Sequence, residues 1–149
     1  MNPKSFIDTH KERMLNELFE LLRIPSISAD PAYNDQVAAC AGHIAAHMKD
    51  LGIQNVNIYP TKGHPIVYGD FLIDPALPTV LVYGHYDVQP ADPIELWDND
   101  PFDPIIKNTD IHPEGAIFAR GACDDKGQMF MHLKAFEILQ AEGGVPCNV

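Results

Sequence analysis

The spacing of apolar residues changes at Gly52, and that change does most to limit what the chain can fold into. Before it, Met14, Leu15, Leu18, Phe19 and Leu22 recur at spacings of three and four, on one stripe of a helix over 3–22. Pro25 stops that helix, because the residue before a proline is pushed out of the helical region. Val37, Ala41, Ile44, Met48 and Leu51 repeat the pattern in a second helix over 34–51, which Gly52 ends. Beyond Gly52 the pattern shortens. Residues 56–59 alternate as an edge strand halted by Pro60, and 66–71 read as a second strand. Residues 79–83 are apolar throughout, as expected of a strand covered on both faces. From 89 to 115 the prolines 90, 93, 101, 104 and 113 mark a loop. A short strand at 117–119 and a third helix over 125–142, closed by Gly143-Gly144, complete the order. The expected class is α/β: a mixed, mostly parallel sheet flanked by helices.

Composition narrows the function. The 149 residues carry 10 Lys+Arg against 21 Asp+Glu, a net charge of −11, which argues against a nucleic-acid partner. Hydrophobic residues make up 46%, enough for a core, yet no apolar run approaches the ~18–20 residues of a membrane span. The first residues lead into a polar helix instead of a signal peptide, so no membrane partner is expected. Cys40, Cys123 and Cys147 are scattered and form no CxxC pair, which suggests neither a disulfide framework nor a thiolate zinc site. A soluble protein of a reducing, cytoplasmic compartment is expected. Val145-Pro146-Cys147-Asn148-Val149 reads as the start of another strand, so the chain is expected to be part of a longer domain.

Two segments carry chemistry. In Tyr83-Gly84-His85-Tyr86-Asp87-Val88-Gln89-Pro90, His85 and Asp87 leave the same face of an extended chain at the carboxyl edge of a strand, where ligands bind in open α/β sheets. A metal-ligating histidine usually donates its other ring N–H to a carboxylate, and this pair suits that unit; it equally suits a histidine hydrogen-bonded at a strand end. In Arg120-Gly121-Ala122-Cys123-Asp124-Asp125-Lys126-Gly127, two adjacent carboxylates sit at a turn opening a helix. A dinuclear site would compensate them, and so would service as helix caps. His43 and His47 stand four apart on the second helix but lack the HExxH glutamate and read as solvent-edge residues. Asp92, Asp98, Asp100, Asp103 and Asp110 crowd one loop without EF-hand spacing and read as solvated surface.

Together the two segments, 39 residues apart from His85 to Asp124, resemble the di-zinc metallopeptidase family of aminoacylase, glutamate carboxypeptidase, acetylornithine deacetylase and the cytosolic non-specific dipeptidases. Trp97 and Pro101-Phe102-Asp103-Pro104 resemble that family's W…PF.P loop, and Val88-Gln89 most resembles the carnosinase-like branch. The resemblance implies a zinc-exopeptidase-like fold, incomplete here, with residues 1–149 as the N-terminal portion of the catalytic metal-binding domain. It implies two zinc ions, with manganese or cobalt also acceptable to such ligands. His85 would be a terminal metal ligand, Asp124 a bridging one, and Asp87 the catalytic-site residue that orients His85. The Asp124–Asp125 peptide would be cis, with Asp125 not a ligand. The implied activity is hydrolysis of the amide bond of dipeptides or short peptides, or alternatively deacylation of N-acyl-amino acids. The general-base glutamate, further ligands and the lid domain that usually makes a homodimer match nothing in this segment, so the segment alone is expected to be inactive, and a non-catalytic metal-binding fragment stays open.

Overall fold

The computed structural model describes residues 2–149. Helix α1, Pro3–Leu22, starts at Asn2, whose side chain accepts the Lys4 N–H at 2.9 Å, with a proline in its first turn. Helix α2, Asn34–Asp50, follows a 3₁₀ turn at Pro31–Tyr33 that Asp30 caps. Gly52 ends α2 at φ +79°, a left-handed backbone that glycine adopts without a Cβ penalty. Helix α3, Lys126–Ala141, lies against α1. Leu21, Cys40, Ile44 and Phe130, one or more from each helix, form the buried core, and Leu18, Met48, Val67, Tyr86 and Met129 pack around it.

Strands β1, Gln54–Tyr59, and β2, Ile66–Asp70, form an antiparallel hairpin on α2. Strands β3, Ile105–Lys107, and β4, Ala116–Phe118, form a second antiparallel hairpin. The first of these lies inside the stretch expected to be loop, since three residues among prolines are too few to show a period. Parallel relations occur as two isolated bridges, Ile27 to Val88 and Thr79 to Asn148.

Residues 79–83 run extended but join no ladder, and the expectation of two covered faces is not met. Leu81 is 91% exposed and Tyr83 82%. Beside them only the Asn148 segment pairs, through the Thr79 bridge and the Val80 N–H on Asn148 O at 2.8 Å. Of the segment 145–149, expected to open a strand, only Asn148 and Val149 pair with neighbours, while residues 146–147 bend. Phe71 and Val149 exchange two backbone hydrogen bonds of 2.8 and 3.1 Å, and buried Asn148 donates to Asp74 O and Leu77 O.

Between the helices lies a charge cluster. Arg13 pairs with Glu17 at 2.7 Å and with Glu137; Lys134 pairs with Glu137 at 2.7 Å and with Glu17. Beside it His47, expected at the solvent edge, is half-buried with its ring 5.7 Å from Phe130, and its Nε2 has no hydrogen-bond partner among the described residues. Burial, then the Lys134 charge, hold its pKa below the ordinary 6.5, against Glu17, while His43 adds to the depression and Glu137 opposes it. Burial pushes Glu17 and Glu137 up, but hydrogen bonds from Lys134 and Arg13 outweigh it and both carboxyls sit below their ordinary range. Groups depressed in the folded state stabilise it above their unfolded pKa and lose that contribution as pH falls through the folded one. The His47 contribution is therefore expected to be lost as pH drops from 7.5 to 5.5, against the opposite contribution of His85, whose raised pKa adds stability there, and the carboxylate contributions are lost lower still. The thermal midpoint of His47→Gln should lose less, or gain more, than that of the unaltered chain over this window; an equal change in the two proteins contradicts this account.

Candidate metal centre

His85 follows the extended 79–83 run, and its ring is engaged on both sides. Nδ1 lies 3.0 Å from Asp87 Oδ1 and 3.2 Å from the Asp87 carbonyl. Nε2 lies 3.0 Å from Asp124 Oδ1. Asp124 stands on the turn between β4 and α3, its side chain 80% exposed. Asp125 occupies the N-cap position of α3 but makes no capping hydrogen bond; its Oδ2 instead accepts the His85 backbone N–H at 3.1 Å. The two carboxylates of the turn therefore face His85 and its backbone, and the capping alternative fails. The Asp124–Asp125 peptide is cis.

Close approach of backbones explains two glycines. A Cβ on Gly84 would lie 2.8 Å from Met129 Cβ, and one on Gly127 would lie 2.0 Å from Ala122 O. Any side chain there would push the His85 segment off α3 or open the turn that carries Asp124 and Asp125.

Three residues that spacing did not single out hold this arrangement. Ser26, fully buried, donates from Oγ to Tyr86 O at 2.6 Å and accepts Val88 N–H at 2.9 Å. Ser28 Oγ–H donates to Asp87 Oδ2 at 2.5 Å. Lys126 is 0% exposed, and its Nζ donates to Leu21 O at 3.1 Å and Ile24 O at 2.6 Å. Burial pulls this amine below its ordinary pKa, partly offset by the Cys40 thiol beside it. Arg120, its guanidinium 5.4 Å from the Trp97 ring, donates to Pro90 O at 3.1 Å and so ties the proline-rich loop to the same turn.

A carboxylate only accepts, so Nδ1 beside Asp87 carries a proton. Nε2 and Asp124 Oδ1 are then two electron-rich atoms 3.0 Å apart, an arrangement that calls for a shared cation, either a proton or a metal. In a tetrahedral zinc shell, nitrogen and oxygen ligands at their usual bond lengths lie roughly 3.3 Å from each other, so the donor pair fits. Burial lowers the His85 pKa, but hydrogen bonds to the Asp87 backbone and carboxylate outweigh it, and the ring titrates above its ordinary value. No group of three His, Cys, Asp or Glu side chains able to hold a metal occurs among the described residues.

The other candidates lie apart. His64 bonds Ser28 O at 3.0 Å, and His10 packs edge-on to Phe6. Asp98 and Asp103 make surface pairs with Lys107 and Arg23. All three cysteines are free. His85, Asp87 and Ser28 line one end of a cleft of about 740 Å³ whose other walls are largely apolar.

Known proteins resemble this chain in sequence and in fold. Residues 81–149 match the profile of peptidase family M20/M25/M40. The Cys-Gly metallodipeptidase dug1 of Schizosaccharomyces pombe is 34% identical over 140 residues, covering 88% of this chain and 28% of that protein. The Beta-Ala-His dipeptidase of Homo sapiens is 29% identical over 157 residues, covering 97% of this chain and 31% of that protein. The solved structure of the di-peptidase Dug1p from Saccharomyces cerevisiae superposes with a TM-score of 0.84 at 29% identity, over 95% of this chain and 31% of that one. The fold is α/β, like that of these metallopeptidases, and residues 81–149 carry the similarity to peptidase family M20/M25/M40. It spans under a third of the length of these relatives. No described helix is long and apolar enough to cross a membrane.

Proposed function

We propose that these residues are the N-terminal portion of the catalytic domain of a metal-dependent dipeptidase, and that His85 and Asp124 are two of its metal ligands. The observation that carries the reading is the 3.0 Å approach of His85 Nε2 to Asp124 Oδ1 while Asp87 engages Nδ1. The chemistry that a divalent metal pair, zinc by preference, supplies when bound there is polarisation of an amide carbonyl and acidification of water. The chain's own residues prepare for it. Asp87 selects the tautomer that leaves Nε2 free to ligate and raises its basicity. Asp125 holds the His85 backbone, and Asp124 presents an exposed carboxylate able to bridge two cations.

Dipeptides with a free carboxylate, of the Cys-Gly or β-Ala-His kind, are the proposed substrates, and a homodimer in the cytoplasm the proposed setting. With two donors of its own, this segment binds metal weakly and turns nothing over. The test is to assay the product of the whole open reading frame, metal-loaded, on Cys-Gly, β-Ala-His and N-acetyl-amino acids side by side. Dipeptide hydrolysis abolished by a chelator supports the reading. Turnover of acetylated substrates alone replaces it with a deacylase, and no turnover of either leaves a metal-binding module.

A further inference from the structure

The His85–Asp87 pair does not stand alone, and its support comes from a part of the chain almost sixty residues earlier. Asp87 uses one carboxylate oxygen for His85 and the other for Ser28, whose hydroxyl donates to Oδ2 at 2.5 Å. Ser28 is itself pinned. Its carbonyl lies 3.0 Å from His64 Nε2, its neighbour Ile27 bridges Val88, and Ser26 is hydrogen-bonded to Tyr86 and Val88. The hydroxyl is therefore delivered by a fixed backbone, while the Asp87 side chain, 40% exposed, has no other side-chain partner fixing its rotamer among the described residues. A carboxylate held at both oxygens keeps one orientation; held at one, it turns toward water and leaves Nδ1 to the Asp87 carbonyl or to solvent.

We propose that Ser28 is a positioning residue: its hydroxyl fixes the Asp87 carboxylate against His85 Nδ1 and thereby sets the tautomer and metal affinity of His85. The proposal rests on the reading of His85 as a ligand for its metal consequence, but not for its tautomer consequence. Loss of an outer partner of a ligating histidine typically weakens metal binding about 10–100-fold, and Ser28 acts one bond further out, so about tenfold is expected.

The experiment compares the chain with Ser28→Ala and Ser28→Thr at one fixed, mildly alkaline pH, where the His85 ring is neutral. Nitrogen-15 shifts of the His85 ring are read without metal, and a zinc titration follows. Ser28→Ala is expected to move the His85 tautomer away from Nδ1–H and weaken zinc about tenfold, and Ser28→Thr to restore both. Circular dichroism checks that each variant folds. A His85 tautomer unchanged in Ser28→Ala overturns the proposal, as does a change of equal size in Ser28→Thr, which would mark mere packing. Should the unaltered chain bind no zinc at His85 while Ser28→Ala still shifts the tautomer, the metal reading falls and the positioning role stands.

Discussion

Replacing Lys126 with alanine is expected to destabilise the chain by about 3–5 kcal/mol, the largest effect of any single change outside the apolar core. The ammonium sits where no water reaches, donating to Leu21 O and Ile24 O at the C-terminal end of α1. Leu21 O also accepts the Ile24 N–H at 3.4 Å and Ile24 O the Ser26 N–H at 2.8 Å, and the lysine gives each carbonyl a second, charged donor. Alanine would take the charged donor from both, leaving the Ile24 N–H on Leu21 O and the Ser26 N–H on Ile24 O, and would leave the space of the stem empty against Gly121 and its surroundings. Lys126→Met separates these contributions. It keeps the stem and removes the buried charge, so its cost should be about half that of alanine. Urea unfolding of the three proteins measures this. Equal midpoints for alanine and wild type would show that Lys126 does not bind α1 to the metal turn.

The second large effect falls on metal. His85→Ala should weaken zinc binding more than about 100-fold, beyond the range for losing an outer partner, while Asp87→Asn should fall within that 10–100-fold range. The fold should barely change, because His85 is 40% exposed and belongs to no core cluster. Isothermal titration with zinc reads the series. Were His85→Ala to bind as before and His43→Ala with His47→Ala to lose binding, the α2 pair would be the site instead.

Helices α1 and α2 were legible from apolar residues recurring at spacings of three and four between clear stops, and the bounds read for α1 coincide with the structure. Strand β3 was not, being three residues long. The run 79–83 shows the opposite failure. Its composition describes a strand suited to two covered faces, but composition says nothing of which neighbours are present, and Leu81 lies bare. Local pattern singled out His85, Asp87 and Asp124 as candidates, two residues on one extended face and a paired carboxylate on a turn, while their metal roles came from the family resemblance. Ser28 and Lys126 were not, because their partners lie 59 and 105 residues away and no local pattern announces such a contact. His47 was read from its helix alone, and only the packing of α1 and α3 reveals its burial.

The central claim is that His85 and Asp124 hold a metal together. An anomalous difference map at the zinc edge, from crystals of the chain soaked in zinc, tests it directly. The account predicts a peak about 2.0–2.2 Å from both His85 Nε2 and Asp124 Oδ1. A peak on His43 and His47, or none between His85 and Asp124 at saturating zinc, would contradict it.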